Sequence, residues 1–178
     1  SRIVGEEEAP EFDPEAYIVR ENTNVVLTRD GWIKRVGRLA SVEGTRVREG
    51  DAVLAVIAGS TLDHVIFFSD DGSAYTLRIN AIPASSGYGE PISKFFRLGE
   101  GRKIIAALGT DPRFTPADQP GKRDEPPTPH LLVVTALGQT LRLPLASFRA
   151  ESTVKGRQYV KLAEGDSVVA VFLLRGER

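Results

Sequence analysis

Residues 25–36 read Val-Val-Leu-Thr-Arg-Asp-Gly-Trp-Ile-Lys-Arg-Val, which places Asp30-Gly31 between two runs of aliphatic, β-branched and aromatic residues. An Asp-Gly pair in such a setting favours a tight hairpin turn, because glycine accepts the positive φ that these turns require. The stretch therefore predicts a β-hairpin made of two short strands.

The same pattern occurs twice more along the chain. Residues 65–78 repeat it around Asp71-Gly72, and residues 131–143 repeat it around Leu137-Gly138, which keeps only the glycine. Three ordered copies indicate an internal repeat, which is the signature of a propeller or a solenoid.

Each hairpin is followed by a second signature, a turn containing Glu-Gly that precedes a short apolar strand. The strands predicted after these turns cover residues 52–57, 103–108 and 167–172. In the second and third copies a further strand is predicted just before the turn, at 92–98 and 158–162. About four strands per unit is the content of a propeller blade.

The pattern divides the chain into an acidic leader, residues 1–19, and a β-repeat domain, residues 20–178. The proline-rich segment 109–129 is expected to be an exposed, mobile loop without strands, because proline cannot donate to a sheet ladder. No helical spacing of apolar residues persists for long, so the chain is predicted to be all-β. The repeat units cover about 20–60, 61–110 and 130–178.

The composition is that of a folded globular protein, with 41% hydrophobic and 26% charged residues. Cysteine is absent, which excludes disulfides and thiolate metal sites and makes the cytoplasm the expected location. No apolar run approaches the roughly 20 residues of a membrane helix, so no membrane partner is expected. Methionine is absent even at position 1, which indicates a piece of a longer protein.

The net charge of −1 conceals a split along the chain. Residues 1–19 contain six acidic residues and one basic residue, whereas the remaining residues contain 22 basic and 18 acidic ones. A mildly basic body with an acidic leader indicates an anionic partner.

Residues 24–36 resemble the repeat found in the C-terminal domain of the A subunit of bacterial type IIA topoisomerases, DNA gyrase and topoisomerase IV. In that repeat a strand, a glycine, an aromatic residue, an aliphatic residue, a lysine and an arginine follow in this order, as they do here. Residues 67–83 are similar to the second blade of that domain, and residues 141–148 are similar to another. The acidic leader resembles the linker before its first blade.

The resemblance implies a β-pinwheel, a propeller-like disc whose blades exchange strands. The family usually has five or six blades, and about three four-stranded blades are visible in this sequence. DNA bends around the basic outer rim of such a disc, while the cleavage tyrosine, the ATP site and the metal site lie elsewhere in the enzyme. The implied function is non-specific binding and bending or wrapping of duplex DNA, which assists an ATP-dependent topology change. No catalytic residue, metal or cofactor is expected in this chain.

The partners implied by the resemblance are duplex DNA, the B subunit of the enzyme and the rest of the A subunit, near the nucleoid in the bacterial cytoplasm. A second copy of the chain could complete the ring of blades. The gyrase subfamily carries Gln-Arg-Arg-Gly-Gly-Lys-Gly in the first-blade loop, which residues 41–48 lack, and the nearest remnant is Lys155-Gly156-Arg157. This departure favours a topoisomerase IV-like role over negative supercoiling.

The predicted DNA contacts are cations of the repeat units, because each neutralised phosphate releases condensed counterions. Arg35 and Arg142 occupy the same position, four residues after their turn glycines, whereas the second unit has Thr76 there and moves the charge to Arg78. The predicted set is Lys34, Arg35, Arg38, Arg46, Arg48, Arg78, Lys94, Arg97, Arg142, Arg149, Lys155, Arg157 and Lys161.

Two alternatives accompany this interpretation. The cations are also compatible with ordinary solvated charges at strand edges, where they discourage aggregation. The domain is also compatible with a protein-interaction module whose basic rim meets an acidic protein. The leader could itself be that acidic segment, folded back over the rim in competition with DNA.

The remaining conspicuous residues are predicted to be structural. Trp32 is expected to pack between blades rather than to stack on a base. His64 and His130 stand at matching repeat positions without further metal ligands, and no calcium-loop or hydrolase pattern is present. The aromatic residues assigned to the core are Phe67, Phe68, Tyr75, Phe95 and Phe96.

Overall fold

The computed structural model describes residues 13–38 and 43–175, and within these residues eleven strands form three antiparallel sheets. Each sheet is built on one of the three predicted hairpins, which confirms the all-β repeat fold. Short 3-10 turns join several of the strands.

The first sheet, blade 1, contains the hairpin around Asp30-Gly31. Strand β1 (Asn22–Thr28) pairs with β2 (Trp32–Val36) on one side and with β3 (Val53–Ser60) on the other. Gly31 adopts a φ of 83° at the turn, which is the positive value that an Asp-Gly turn predicts.

Blade 2 repeats this arrangement. Strand β4 (His64–Ser69) pairs with β5 (Ser73–Arg78) across the Asp71-Gly72 turn and with β7 (Ile104–Gly109) on its other side. Blade 3 has β8 (His130–Thr135) between β9 (Thr140–Pro144) and β11 (Val168–Leu173).

The fourth strand of blades 1 and 2 comes from the unit that follows. The short strand β6 (Glu90–Pro91) pairs with β2, and β10 (Arg157–Gln158) pairs with β5. Neighbouring blades therefore exchange strands, as the resemblance to the β-pinwheel implies. Within the described residues no fourth strand pairs with β9, which is the edge of blade 3.

The segments that carry these fourth strands form two straps, residues 83–98 on blade 1 and residues 152–162 on blade 2. The first strap is bonded to β2 and to the turn before it: the Arg35 amide donates to the Pro83 carbonyl at 3.0 Å, and the Ile92 amide donates to the Gly31 carbonyl at 2.8 Å. The strap thus closes the outer edge of its blade through backbone hydrogen bonds.

The second strap makes the same kind of contacts on blade 2. The Ser152 amide donates to the Thr76 carbonyl at 3.0 Å, and the Tyr159 amide donates to the Gly72 carbonyl at 2.8 Å. The two straps are therefore equivalent parts of the repeat.

The predicted strands at 92–98 and 158–162 were wrong in position. Strand β6 ends just before the first range, β10 overlaps the second only at Gln158, and Ile92–Lys94 is a 3-10 turn. Ile92 and Phe96 are both buried, and the Phe96 amide donates to the Ile92 carbonyl at 3.1 Å. Their spacing of four residues reflects a turn that inserts two side chains into the core, not a strand.

The core consists of two apolar clusters on opposite faces of blade 2. Val65 and Phe67 of β4 belong to the cluster shared with blade 1, whereas Ile66 and Phe68 belong to the cluster shared with blade 3. Both faces of β4 are buried, which explains its continuous apolar run. Tyr75 and Phe96 are buried in the first cluster, with Phe95 packed against it, so the five aromatic core assignments are confirmed.

The inner and outer edges of the blades follow from their contacts. Strand β7 contacts β3 on one side and β11 on the other, so these three strands form a continuous inner edge. The straps lie at the opposite end of each sheet order. The straps therefore form the outer edge of blades 1 and 2.

The proline-rich segment is mostly exposed, as expected, but it is not without sheet pairing. Gln119 and Thr128 form an isolated antiparallel bridge with two backbone hydrogen bonds of 2.9 Å. Asp111 and Thr115 are buried at its start. Pairing is possible here because neither Gln119 nor Thr128 is a proline.

Residues 1–12 of the predicted leader lie outside the described residues. The hypothesis that the leader folds back over the rim concerns these residues. Its end is attached to the turn between β3 and β4, where the Thr61 hydroxyl donates to the Val19 carbonyl at 2.7 Å and the Thr61 amide donates to the Glu21 carbonyl at 2.9 Å. No helix in the part of the chain that the structure describes is long and apolar enough to span a membrane.

Candidate nucleic-acid interface

Four of the predicted cations lie exposed on the two straps of the outer edge. Lys94 and Arg97 are on the first strap, and Lys155 and Lys161 are on the second. The Arg97 amide donates to the Val154 carbonyl at 2.8 Å, which joins the two straps directly beside Lys155. A shallow groove of about 290 Å³ at this junction is lined in part by Lys94, Arg97 and Val154. The repeat therefore carries positive charge from one blade to the next along the outer edge.

Three cations on or near the straps also have partners within the chain. Lys94 lies 3.2 Å from Glu90 in an exposed pair, which contributes little to stability and leaves the ammonium accessible. Arg157 donates to the Glu151 carbonyl at 2.9 Å. Arg149 donates to Asp118 at 2.9 Å and to the Pro116 carbonyl at 2.7 Å, so it holds the proline-rich segment against blade 3.

Lys34 is not a surface cation, which corrects its assignment to the basic rim. The residue is 2% exposed, and its Nζ donates at 2.8 Å to the carbonyls of Arg46 and Gly87. Burial lowers the pKa of Lys34, and the nearby charge of Arg46 lowers it further. Lys34 therefore connects the loop after β2 to the first strap.

Arg35 and Arg142 differ in surroundings although they share a repeat position. Arg35 is half-buried, and its Nε donates to the Ile82 carbonyl. Arg142 is exposed on β9, the edge strand of blade 3. Arg78 is also half-buried and donates to the Leu62 carbonyl at 3.1 Å, in the turn between β3 and β4. Arg78 is therefore bonded away from the straps.

Arg38, Arg46 and Arg48 are exposed at blade 1. The guanidinium carbon of Arg48 lies 4.9 Å from the centroid of the Trp32 ring, a cation–π contact. Trp32 itself is half-buried and pairs with Pro91 of the first strap. It therefore contacts a neighbouring unit, as expected, and it also positions an exposed arginine.

A further basic cluster was missed by the sequence interpretation. Arg29, Arg102 and Lys103 line a cavity of about 240 Å³ between the hairpin turn of blade 1 and the start of β7, with Asp30 beside them. The repeat alignment contained a signal, because Arg102 occupies the position that Asp51 and Asp166 hold in the other units.

The described residues contain no group of three or more histidine, cysteine, aspartate or glutamate side chains placed to hold a metal ion. His64 and His130 lie at the equivalent starts of β4 and β8, as their repeat positions predict. The functional groups that the described outer edge offers are cations and hydrogen-bond donors, which can bind an anion.

Comparison with known proteins agrees with this architecture. The chain is 34% identical over 103 residues to the A subunit of DNA topoisomerase 4 from Caulobacter vibrioides, covering 55% of this chain and 14% of that protein. It is 28% identical over an alignment of 226 residues to the A subunit of DNA gyrase from Rickettsia conorii, covering 93% of this chain and 24% of that protein. The chain thus spans less than a quarter of the length of these curated relatives.

Solved structures share the fold. The C-terminal domain of DNA topoisomerase IV superimposes with a TM-score of 0.71 at 21% identity, covering 89% of this chain and 47% of that one. The C-terminal domain of ParC from E. coli superimposes with a TM-score of 0.69 at 20% identity, covering 87% of this chain and 57% of that one.

The family model described as the DNA gyrase C-terminal domain, a β-propeller, matches residues 63–110 and 129–175. These two ranges coincide with the second and third repeat units and leave out the proline-rich segment between them. The chain therefore belongs to the family of DNA gyrase C-terminal domains.

Proposed function

We propose that this domain binds duplex DNA without sequence specificity along its outer edge, and that it bends or wraps the duplex to assist strand passage by a type IIA topoisomerase. The observation that carries the proposal is the continuity of the straps: Arg97 of one is bonded to Val154 of the next, with exposed cations on both sides of the junction. Cations spaced along such an edge suit the phosphates of a bent duplex.

The proposed mode of recognition is contact with phosphates rather than bases. The exposed cations lie on straps and strand edges, and none of those described is carried by a helix of the kind that enters the major groove. Such contacts position a duplex without reading its sequence. In this proposal cleavage and ATP hydrolysis are supplied by the B subunit together with the rest of the A subunit, near the nucleoid in a bacterial cytoplasm.

The proposal favours a topoisomerase IV-like role within the family. Residues 41–48 lack the basic, glycine-rich box of the gyrase subfamily, and its nearest remnant, Lys155-Gly156-Arg157, lies on the second strap instead. The position of Lys155-Gly156-Arg157 therefore supports a DNA contact at blade 2, and the absence of the box from residues 41–48 argues against complete wrapping that starts at blade 1.

The salt dependence of duplex binding tests the proposed function. If Lys94, Arg97, Lys155 and Lys161 each neutralise one phosphate, log K should fall with log salt at a slope of about −3.6. Replacing Lys155 and Lys161 by glutamate should reduce the slope to about −1.8 on duplexes of any sequence. Fluorescence anisotropy with a labelled duplex, measured across a salt series, gives both values.

Lys122→Glu with Arg123→Glu provides the matched control, because these neighbouring cations are exposed in the proline-rich segment away from the straps. This variant changes the net charge by the same amount and should keep the wild-type slope. An equal loss in both double variants would show that only net charge matters. Binding by the wild type that does not depend on salt would contradict the proposal directly.

A second candidate function, protein binding, is favoured by one observation at blade 3. Leu137, Leu141 and Phe172 are exposed at or near β8, β9 and β11, and Phe172 is 53% exposed. An edge strand beside exposed apolar side chains is a site for pairing with another chain. A second copy of this chain is the partner that we propose for it.

A further inference from the structure

A groove lies at the end of β2, where the strand meets two loops. It has a volume of about 660 Å³ and lies between β2, residues 44–46 and residues 84–86 of the first strap. Its polar side chains come from Lys34, Arg35, Thr45, Arg46, Ser85 and Ser86. No acidic side chain is among the described residues that line it.

The buried ammonium of Lys34 at this groove has an unusual set of partners. It donates to two backbone carbonyls, those of Arg46 and Gly87, each at 2.8 Å. A lysine has three N–H donors, so these bonds leave one N–H for another acceptor. Buried charges are ordinarily paired with an opposite charge, whereas the two bonded partners of Lys34 are neutral.

The charge beside Lys34 has the same sign. Arg46 approaches closely enough for its positive charge to lower the pKa of Lys34, in addition to the lowering caused by burial. Two cations therefore converge on a groove whose described lining contains no carboxylate. An anion bound there would relieve this repulsion and accept the remaining Lys34 N–H.

The other groups lining the groove favour a tetrahedral oxyanion. Thr45, Ser85 and Ser86 offer three hydroxyl donors, and Arg46 is an exposed guanidinium able to donate two parallel hydrogen bonds. Gly37, Gly44 and Ala84 add no bulk, so backbone and hydroxyl groups are open to a ligand. A phosphate group combines the charge and the number of acceptor oxygens that these donors require.

Blade 2 does not repeat this arrangement. Tyr75 stands in the place of Lys34, and its hydroxyl donates to the Arg97 carbonyl at 3.2 Å. Thr76 stands in the place of Arg35, and its hydroxyl donates to the Phe148 carbonyl at 2.6 Å. Because these side chains are satisfied within the chain, the site on blade 1 is a specific feature and not a by-product of the repeat.

We infer that the groove at Lys34, Arg46 and Ser85 is a phosphate-binding site that holds one backbone phosphate of the bound duplex. The inference rests on the proposed function, since it places one DNA contact at blade 1 next to the first strap. Arg46 and the hydroxyls contact the phosphate from the surface, and Lys34, which is bonded to both loops, donates its remaining N–H to the phosphate from the buried side.

The inference is tested on the full chain with two probes, inorganic phosphate and a duplex. In amide NMR spectra, phosphate should shift the signals of Thr45, Ser85 and Ser86 and leave those of the proline-rich segment unchanged. Arg46→Gln should weaken phosphate binding by about tenfold or more, because it removes a charge-assisted contact. The same variant should lower the salt slope for duplex binding by about 0.9.

Arg97→Gln is the matched control, because it removes an exposed arginine of the outer edge that does not line this groove. It should lower the slope for duplex binding without changing the phosphate-induced shifts at Thr45, Ser85 and Ser86. Equal thermal unfolding of the two variants, followed by circular dichroism, establishes that both are folded.

The possible results separate the two proposals. If the wild type binds duplex with a steep salt slope but Arg46→Gln changes neither the slope nor the phosphate shifts, the groove is not the site and the proposed function stands. If phosphate shifts the groove signals but the wild type does not bind duplex, the proposed function fails and the assignment to a DNA phosphate fails with it.

Discussion

At the scale of single residues, two aspartates fasten the inner strands to the hairpin turns. Oδ1 of Asp51 accepts from the amides of Asp30 at 3.0 Å and Ala52 at 2.8 Å. Oδ1 of Asp166 accepts from the amides of Leu137 at 3.0 Å and Ser167 at 2.8 Å. The Glu-Gly-Asp signature of units 1 and 3 is therefore a device that ties each turn to its inner strand.

Blade 2 also has a hydrogen bond between the hairpin and the inner strand, but its carboxylate lies on the hairpin and its amide on the inner strand. The signature there ends in Arg102, and the carboxylate comes from the hairpin instead: Oδ1 of Asp70 accepts from the Lys103 amide at 3.2 Å. Arg102 therefore cannot accept hydrogen bonds from the hairpin amides, as Asp51 and Asp166 do at this repeat position. It contributes instead to the basic cluster beside Arg29.

These aspartates predict how stability depends on pH. Burial alone would raise the pKa of Asp51, but hydrogen bonds from Thr28 and from the amides of Ala52 and Asp30, together with the charge of Arg48, lower it overall. The balance at Asp166 is similar: burial would raise its pKa, and hydrogen bonds from Thr135 and backbone amides lower it. Both folded-state values therefore lie below the unfolded value of about 3.9.

A depressed carboxyl pKa contributes stability that is present above the unfolded value and is lost as the pH falls through the folded value. The free energy of unfolding, measured by urea titration from neutral pH into acid, should therefore fall more steeply in the wild type than in Asp51→Asn with Asp166→Asn. Asp124→Asn, in the exposed proline-rich segment, is the control and should follow the wild-type curve. Parallel curves for the double variant and the wild type would contradict the role given to the two carboxylates.

At the scale of elements, the straps depend on glycines where they cross the preceding blade. Gly89 has a φ of 87°, and a Cβ there would lie 2.3 Å from the Ile33 carbonyl oxygen. Gly156 has a φ of 72°, and a Cβ there would lie 2.6 Å from the Ala74 carbonyl oxygen. Both the backbone conformation and the close approach to the blade require glycine.

Gly89→Ala should therefore detach the first strap, whereas Gly101→Ala should not. Gly101 also has a positive φ, 71°, but nothing lies within 4 Å of a Cβ placed there. The change at Gly101 costs only the conformational strain, about 1–2 kcal/mol, and the change at Gly89 adds a clash with backbone. Urea unfolding should show a loss at Gly89 that is larger by roughly 1–3 kcal/mol. Equal losses would mean that the strap does not depend on close contact at this point.

The hairpins and inner strands could be predicted from the sequence, because each has a local signal: a glycine turn between apolar runs, or Glu-Gly before a strand. The fourth strands could not be placed in the same way. Glu90–Pro91 and Arg157–Gln158 are two residues long and have no period to detect. Their partners belong to another unit, so only the family resemblance implied the exchange.

The residues of the candidate site also fall into those that local sequence predicts and those that it does not. Lys94, Arg97, Lys155 and Lys161 were placed on the surface correctly from their polar setting. Lys34 was wrongly placed on the surface, because residues 43–48 lie over the face of blade 1 and bury it. The alternation of side chains along a strand does not show where the following loop will lie. The groove at Lys34 was missed for the same reason, since one of the segments that line it, residues 84–86, belongs to the next repeat unit.

At the scale of the whole molecule, the two end blades differ in how their outward faces are covered. On blade 1, Val26 and its register partner Lys34 are buried beneath the loop that contains Arg46 and Arg48. On blade 3, Leu132 is half-exposed and its register partner Phe172 is exposed. Repeat arrays ordinarily cover their terminal faces. Among the described residues, the first face is covered at Val26 and Lys34, although Val56 of β3 is exposed, and the face of blade 3 is not covered at Phe172.

This asymmetry determines how two copies could associate. Head-to-tail closure into one ring requires the outward face of blade 1, where its own loop already covers Val26 and Lys34. Contact between the two blade 3 faces uses the same surface of each copy and is closed by a two-fold axis, so it ends at a dimer. Phe172 and its register partner Leu132 would be buried together at this contact, since they share the outward face.

We therefore expect the 178-residue chain to form dimers at micromolar or higher concentration, measured as solution mass by sedimentation equilibrium. Phe172→Lys should restore the monomer, because it places a charge on the outward face of blade 3 that would have to be buried in the dimer. Val154→Lys is the control, since Val154 is equally exposed but lies on the second strap, and it should remain dimeric. A monomeric wild type, or assemblies that grow beyond two chains, would mean that the uncovered face of blade 3 does not pair with itself.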